Sequence, residues 1–197
     1  KIDWAIKEFP KYPYRYIHPT YNPDMTEIDY EWGFKQHDCI GAFLFKIGDL
    51  ENKGIRIIRD ENDLRILQKL VDYLENIEYW HNPDNGIWEE NEEIHASSIG
   101  ACVAGLRKIK NIVNVKPELI QKGEQALRKL LPKESETKDV DLALLSLIFP
   151  YKVTTPLETA IILKNIERKL LRNRGVIRYV GDKYYSNEHG EAQWTMG

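Results

Sequence analysis

Hydrophobic and polar positions recur along this chain at helical spacing, and they do so in two alternating styles. The stretch FKQHDCIGAFLFKIGD, residues 34–49, is apolar on nearly every side after its first turn, which predicts an inner helix covered all round. The next, DENDLRILQKLVDYLENIEYW, sets Leu64, Leu67, Leu70, Val71, Leu74 and Ile77 on one stripe behind an Asp60 cap, so its other face is left to solvent. HASSIGACVAGLRKI at 95–109 returns to the covered style, with His95 at the helix start. KPELIQKGEQALRKLL at 116–131 returns to the striped one, with Pro117 in its first turn. DVDLALLSLIF at 139–149 and TPLETAIILKNIERKLLRN at 155–173, with Pro156 near its start and Gly175 as its stop, predict a third inner and outer pair.

Alternation of this kind predicts an all-α fold of helical hairpins, an α/α toroid in which loops at one end build a site. The aromatic, polar, Gly-containing segments at 10–33, 80–94 and 175–194 are those loops. A plain helical bundle or solenoid is the simpler alternative, although no repeated motif marks a helical-repeat array. A length of 197 residues suits a single domain over 1–197 with a sizeable core. The chain has no initiator Met and stops abruptly at Gly197, which reads as a segment of a longer protein.

Composition narrows the chemistry. With 28 Lys plus Arg against 31 Asp plus Glu, the net charge of −3 gives no electrostatic reason to expect nucleic acid or an anionic membrane as partner. No stretch approaches the roughly 20 apolar residues of a membrane span, and no leader opens the chain, so a soluble, cytoplasmic protein is expected. Cys39 and Cys102 are read as buried free thiols, without the ligand spacing of a zinc site. The histidines at 18, 37, 81, 95 and 189 show no metal spacing, and Ser97–Ser98 lacks a triad partner.

Three loop segments carry a more specific pattern: PTYNPDMTEIDYEWGFKQHDCIGA at 19–42, NGIWEENEEIHASS at 85–98, and GVIRYVGDKYYSNEHGEAQW at 175–194. In order and spacing they resemble glycoside hydrolase family 15, the glucoamylase family. That family also includes glucodextranases, some trehalases and the kindred domain of phosphorylase kinase regulatory subunits. The resemblance implies an (α/α)6 toroid, about half of it in this chain. It also implies an inverting hydrolase that releases glucose from the non-reducing end of α-glucosides, a role in carbohydrate metabolism and polysaccharide degradation.

By its match to the family motif, Glu89 is the general acid and Glu90 a neighbouring ligand for sugar hydroxyls. Inversion needs a second carboxylate roughly 6.5–9.5 Å from the acid, and adjacent residues diverge too much to fill both roles. The acid must hold its proton close to neutrality, a demand met in general by an apolar neighbour and a second carboxylate, here Trp88 and Glu90. Trp32 matches a platform for a sugar ring, Arg178 and Asp182 match hydroxyl ligands, and Gln36, Asp38, Tyr184 and Trp194 fall on further family positions. Without the resemblance, the two glutamates read as a solvated first-turn pair, the tryptophans as core, and Arg178 with Asp182 as a surface ion pair.

The family's catalytic base and an Arg-Asp segment are expected outside these residues. The other half of the toroid is expected from a further portion of chain or from self-association. The implied partner is an α-glucan or α-glucoside oligosaccharide, with no metal or organic cofactor. An inactive glucan-binding or regulatory relative of the same fold is the alternative function, and a helical protein-interaction scaffold is the third class.

Overall fold

Each predicted outer helix forms where its apolar stripe requires burial. The computed structural model describes residues 1–28 and 35–195. In chain order the helices are α1 (Ile2–Ala5), α2 (His37–Asn52), α3 (Glu61–Asn76), α4 (Ala96–Ile109), α5 (Pro117–Leu130), α6 (Leu145–Ile148) and α7 (Pro156–Lys169). Short 3-10 turns lie at Pro13–Arg15 and Leu142–Leu144, and a small antiparallel pair, β1 (Leu171–Arg172) and β2 (Gly175–Val176), follows α7. Asp60 caps α3 by accepting from the amides of Asn62 and Asp63, and Leu67, Val71 and Leu74 bury the stripe. A capping box between Thr155 and Glu158 starts α7, whose Ile162 and Ile166 reach the core.

Among the described residues α2–α3, α4–α5 and α6–α7 are successive helical hairpins, the pattern of a partial (α/α)6 toroid. Nearly every residue of α4 from Ala96 to Leu106 is buried, as an inner helix requires. Its most extensive partner is α2. Glycines let these two backbones meet: a Cβ on Gly41 would lie 2.5 Å from the Cys102 nitrogen, and one on Gly105 would lie 2.5 Å from the Gly41 oxygen. Neither position has room for a side chain. No described helix is long and apolar enough to cross a membrane.

Several expectations need correction. The third inner helix is far shorter than residues 139–149: only Leu142–Leu144 as a 3-10 turn and Leu145–Ile148 as α6 are helical. Its start is held extended by the Asp141–Tyr179 bridge, and Pro150 prevents its continuation. Helix α2 is covered on one side only, because Cys39, Phe43 and Lys46 form an exposed stripe where apolar composition predicted burial all round. Cys39 is therefore exposed, and only Cys102 is a buried thiol. Helix α7 ends at Lys169, and the chain turns into the β1–β2 pair before Gly175.

Gly41→Ala and Gly105→Ala should each lower stability by about 1–3 kcal/mol, because overpacking at the crossing outweighs the better helix propensity of alanine. Lys46→Ala, on the exposed stripe of the same helix, should stay within about 0.5 kcal/mol of the parent. Urea midpoints of the three variants measure both effects.

Candidate functional site

The site is assembled from the starts of the inner helices. A helix leaves its first amides without partners, and here those amides are buried, so acceptors must come from elsewhere. Asp84 accepts from the His37 amide at 2.9 Å at the start of α2. Glu134 accepts from the Ser97 amide at 3.2 Å and the Ser97 hydroxyl at 2.5 Å, while its carbonyl takes the Ala96 amide at 2.7 Å, which anchors α4. Asp141 accepts from the Ala143 amide at 2.8 Å ahead of α6. Asp84, Glu134 and Asp141 are all buried. Lys35, just before α2, is tied to Asn85 by reciprocal bonds of 2.8 and 3.0 Å.

The segment that follows Asn85 is a tight turn folded around that residue. The Asn85 side chain donates to the Glu90 carbonyl at 2.7 Å, and the amides of Glu90 and Glu89 return to the carbonyls of Asn85 and Gly86 at 2.9 and 3.0 Å. Asp84 and Glu93 close the turn as an antiparallel bridge. Gly86 has φ of +64° and Glu89 of +58°. For an L-residue this left-handed conformation costs roughly 1–2 kcal/mol, so Glu89 is a strained residue at the position matched to the acid. Trp88 points away from the turn and donates its indole N–H to Asp141 at 2.7 Å.

Glu90 joins this turn to the last loop. One of its oxygens accepts from Arg178 at 3.1 Å, and the other from Lys138 at 2.7 Å and the Tyr179 hydroxyl at 2.8 Å. Arg178 grips Asp182 with two bonds, Nε at 2.7 Å and Nη2 at 2.6 Å, and Asp182 also accepts from the Tyr184 amide at 2.9 Å. The guanidinium lies 4.9 Å from the Trp88 ring centre and 4.8 Å from that of Tyr184. Tyr184, 52% exposed, stacks on Trp194 with the rings 12° from parallel. Trp194 is fixed by backbone bonds to Val176, and the close approach of its main chain leaves no space for a Cβ on Gly175. A cavity of about 500 Å³ abuts the cluster, bordered by Glu90, Thr137, Lys138, Tyr179 and Val180 among others, within the range of small-molecule sites.

Electrostatics sort these groups. Burial pushes the Asp182 carboxyl up, but the hydrogen bonds from Arg178 and Tyr184 outweigh it and leave the group below the usual carboxylate range. Burial, reinforced by Glu134, pushes Asp141 upward, and its Oδ2 has no hydrogen-bond partner, with the Lys138 ammonium 3.8 Å away. Burial and the bond to Glu90 raise the Tyr179 phenol, so it remains a donor. The Tyr184 phenol is raised first by its hydrogen bond with Tyr185, and Glu89, half-buried, stands beside Glu90 in the same turn. Among the described residues no group of three or more His, Cys, Asp or Glu side chains is arranged to hold a metal ion.

Glu89, Glu90, Trp88, Arg178, Asp182, Tyr184 and Trp194 thus come together from segments far apart in sequence. Trp32 lies outside the described residues. The reading of Arg178 and Asp182 as a surface pair is corrected: both are buried, and they bind each other. Glu92, though exposed, pairs with Lys35 at 2.7 Å, and the half-buried Glu93 accepts from the Thr137 amide at 3.1 Å. Gln36 is buried and takes a bond from the Cys39 thiol at 3.0 Å. Burial raises Asp38 to about 6. Sequence reasoning missed Asp141, Lys138, Tyr179, Asp84 and Glu134. An Asp just before an apolar helix is a capping signal that could have found Asp141, but nothing local marks the others.

Trp88→Phe removes the one side-chain donor that, among the described residues, bonds to the Asp141 carboxylate, and should lower stability by about 1–3 kcal/mol, beyond the loss of ring area. Trp88→Phe combined with Asp141→Asn should recover part of that loss, because the orphaned carboxylate is then gone. The urea midpoints of the single and double variants test this.

Residues 16–131 match the model of the family described as glycosyl hydrolases family 15. A probable phosphorylase b kinase regulatory subunit alpha of Caenorhabditis elegans is 29% identical over 177 residues, covering 79% of this chain and 14% of that protein. Among solved structures, one glycosidase variant superposes with a TM-score of 0.68 at 24% identity, over 88% of this chain and 49% of that one. A second variant, solved in complex with glucose, gives 0.63 at 25% identity, over 83% of this chain and 46% of that one. This chain therefore spans about half the length of the glycosidases and about a seventh of the kinase subunit. With more than half of its residues inside the family match and half of a glycosidase toroid in its fold, this chain belongs to the glycosyl hydrolases family 15.

Proposed function

We propose that this chain is a glucoside-binding regulatory module built on the glycosidase fold, and that it holds a sugar end without cleaving it. One observation carries the reading. Two carboxylates beside the cavity are taken up by internal donors: Glu90 by Arg178, Lys138 and Tyr179, and Asp182 by Arg178 and the Tyr184 amide. A carboxylate that accepts several charged or buried donors is a poor base for water. Neither suits the second role that inversion requires. The exposed Tyr184 face, stacked on Trp194, offers the C–H surface of a pyranose a platform, and Glu89, half-buried beside Glu90, would receive a hydroxyl. Similarity to proteins named as regulatory subunits of a kinase supports the same reading and makes a protein partner part of it.

The hydrolytic alternative has its own supporting observation: the left-handed backbone of Glu89, at the position that the motif assigns to the acid. Calorimetric titration with glucose, maltose and isomaltose, run beside a glucose-release assay, separates the two. The binding reading expects saturable binding that weakens roughly tenfold or more in Tyr184→Ala, with no glucose released by the parent or by Glu89→Gln. Release by the parent that drops about 10²–10⁴-fold in Glu89→Gln would establish the hydrolase instead. No binding of any of the three sugars would remove the sugar reading altogether.

A further inference from the structure

Beneath the Glu89 turn lies a buried histidine that none of the chemistry above uses. His95 stands at the position just before α4, and its ring packs edge-on against Gly86, where a Cβ would lie 2.9 Å from Nε2 and Cδ2. Nε2 is 3.3 Å from the carbonyl oxygen of Asn91, and Nδ1 is 3.4 Å from Oε1 of Glu134. One ring therefore touches both ends of the turn, Gly86 and Asn91, and fastens it to the carboxylate that anchors α4.

Both atoms facing the ring nitrogens are acceptors. A carbonyl has no proton to offer, and Glu134 is already accepting from the Ser97 amide and hydroxyl. A neutral imidazole carries one N–H and would set a lone pair against one of these oxygens, whereas the cation satisfies both. Every element packed around the ring agrees with a positive charge there. Glu134 comes from the 131–138 loop, Asp84 and Glu93 from the turn and its closing bridge, and Asp38 from α2. Among the described residues, His37 of α2 also faces it, but burial drives that ring down to about 3 and it stays neutral.

We infer that His95, as a doubly protonated imidazolium, is the positioning residue that fixes the turn from Gly86 to Asn91 and hence the place where Glu89 is presented. Its bearing on ligand affinity rests on the sugar-binding reading above. Burial opposes the charge, but the Glu134 carboxylate, helped by Asp84 and the Asn91 carbonyl, outweighs it and holds the group up to about 9. Because the folded value lies above the ordinary 6.5, this contribution to stability is complete below pH 6.5. It is lost as pH rises through 9. At that point one of the two contacts breaks and the turn is released at one end.

The test follows the imidazole nitrogens of His95 and the Cα–Hα pair of Glu89 by NMR from pH 6 to 10, without sugar and then with maltose. Both His95 nitrogens should carry protons at pH 7, the Glu89 resonance should move with the His95 titration, and maltose affinity should fall roughly tenfold across the same range. Glu134→Gln, which removes the main counter-charge, should shift all three changes to lower pH together. His95→Gln should lose the movement of the Glu89 resonance between pH 8 and 10. A neutral His95 at pH 7, or a Glu89 resonance that stays fixed while His95 titrates, overturns the inference. A Glu89 resonance that follows His95 while no sugar binds at any pH leaves the positioning role standing and removes the sugar-binding reading.

Discussion

Everything at the candidate site follows from one requirement: the first amides of the inner helices are buried and must find acceptors. A solvent-facing helix start can use water or its own cap, as α3 does with Asp60. The inner starts use Asp84, Glu134 and Asp141 instead. Two of those three carboxylates arrive from loops far from the helix they serve. Those two therefore drag a loop to a helix start, and each of the three has a second partner on the site side: Asp84 bridges to Glu93, Glu134 faces His95, and Asp141 holds Trp88. Capping and site assembly are one set of bonds.

That economy explains why the cluster is polar yet buried. Arg178, Asp182, Glu90 and Lys138 would be expensive to desolvate singly, but together every strong charge has a counter-charge within hydrogen-bond reach. The aromatic rings of Trp88, Tyr179 and Tyr184 cover the faces of the two cations. The result is a stiff wall beside an open aromatic rim.

Much of the fold is legible in the sequence because outer helices obey short-range rules. The stripe behind Asp60, the proline starts of α5 and α7 and the Thr155–Glu158 box are all local signals, and all of them form. The described parts of the motif segments also touch, Lys35 bonding to Asn85 and Glu90 to Arg178. Hidden from the sequence are features decided by distant partners. A glutamate such as Glu134, in the run LPKESETKDV, looks like a solvated charge until the start of α4 is known to lie against it. Apolar composition at 139–149 promises a full helical turn pattern, but a bridge to Tyr179 takes the first residues for extended structure. The exposed stripe on α2 was equally hidden, since composition tells that a face is apolar and not whether anything covers it.

The contact between Gly41 and Gly105 has a consequence for what the rim can hold. Side chains that separate two helices can change rotamer and let the gap breathe, but main chain resting on main chain has no such slack. His37 and Lys35 lie within two turns of that contact, and the 85–90 turn hangs from them. The height of that turn above the core is thus set by a hard stop deep in the protein, which no rotamer change can shift.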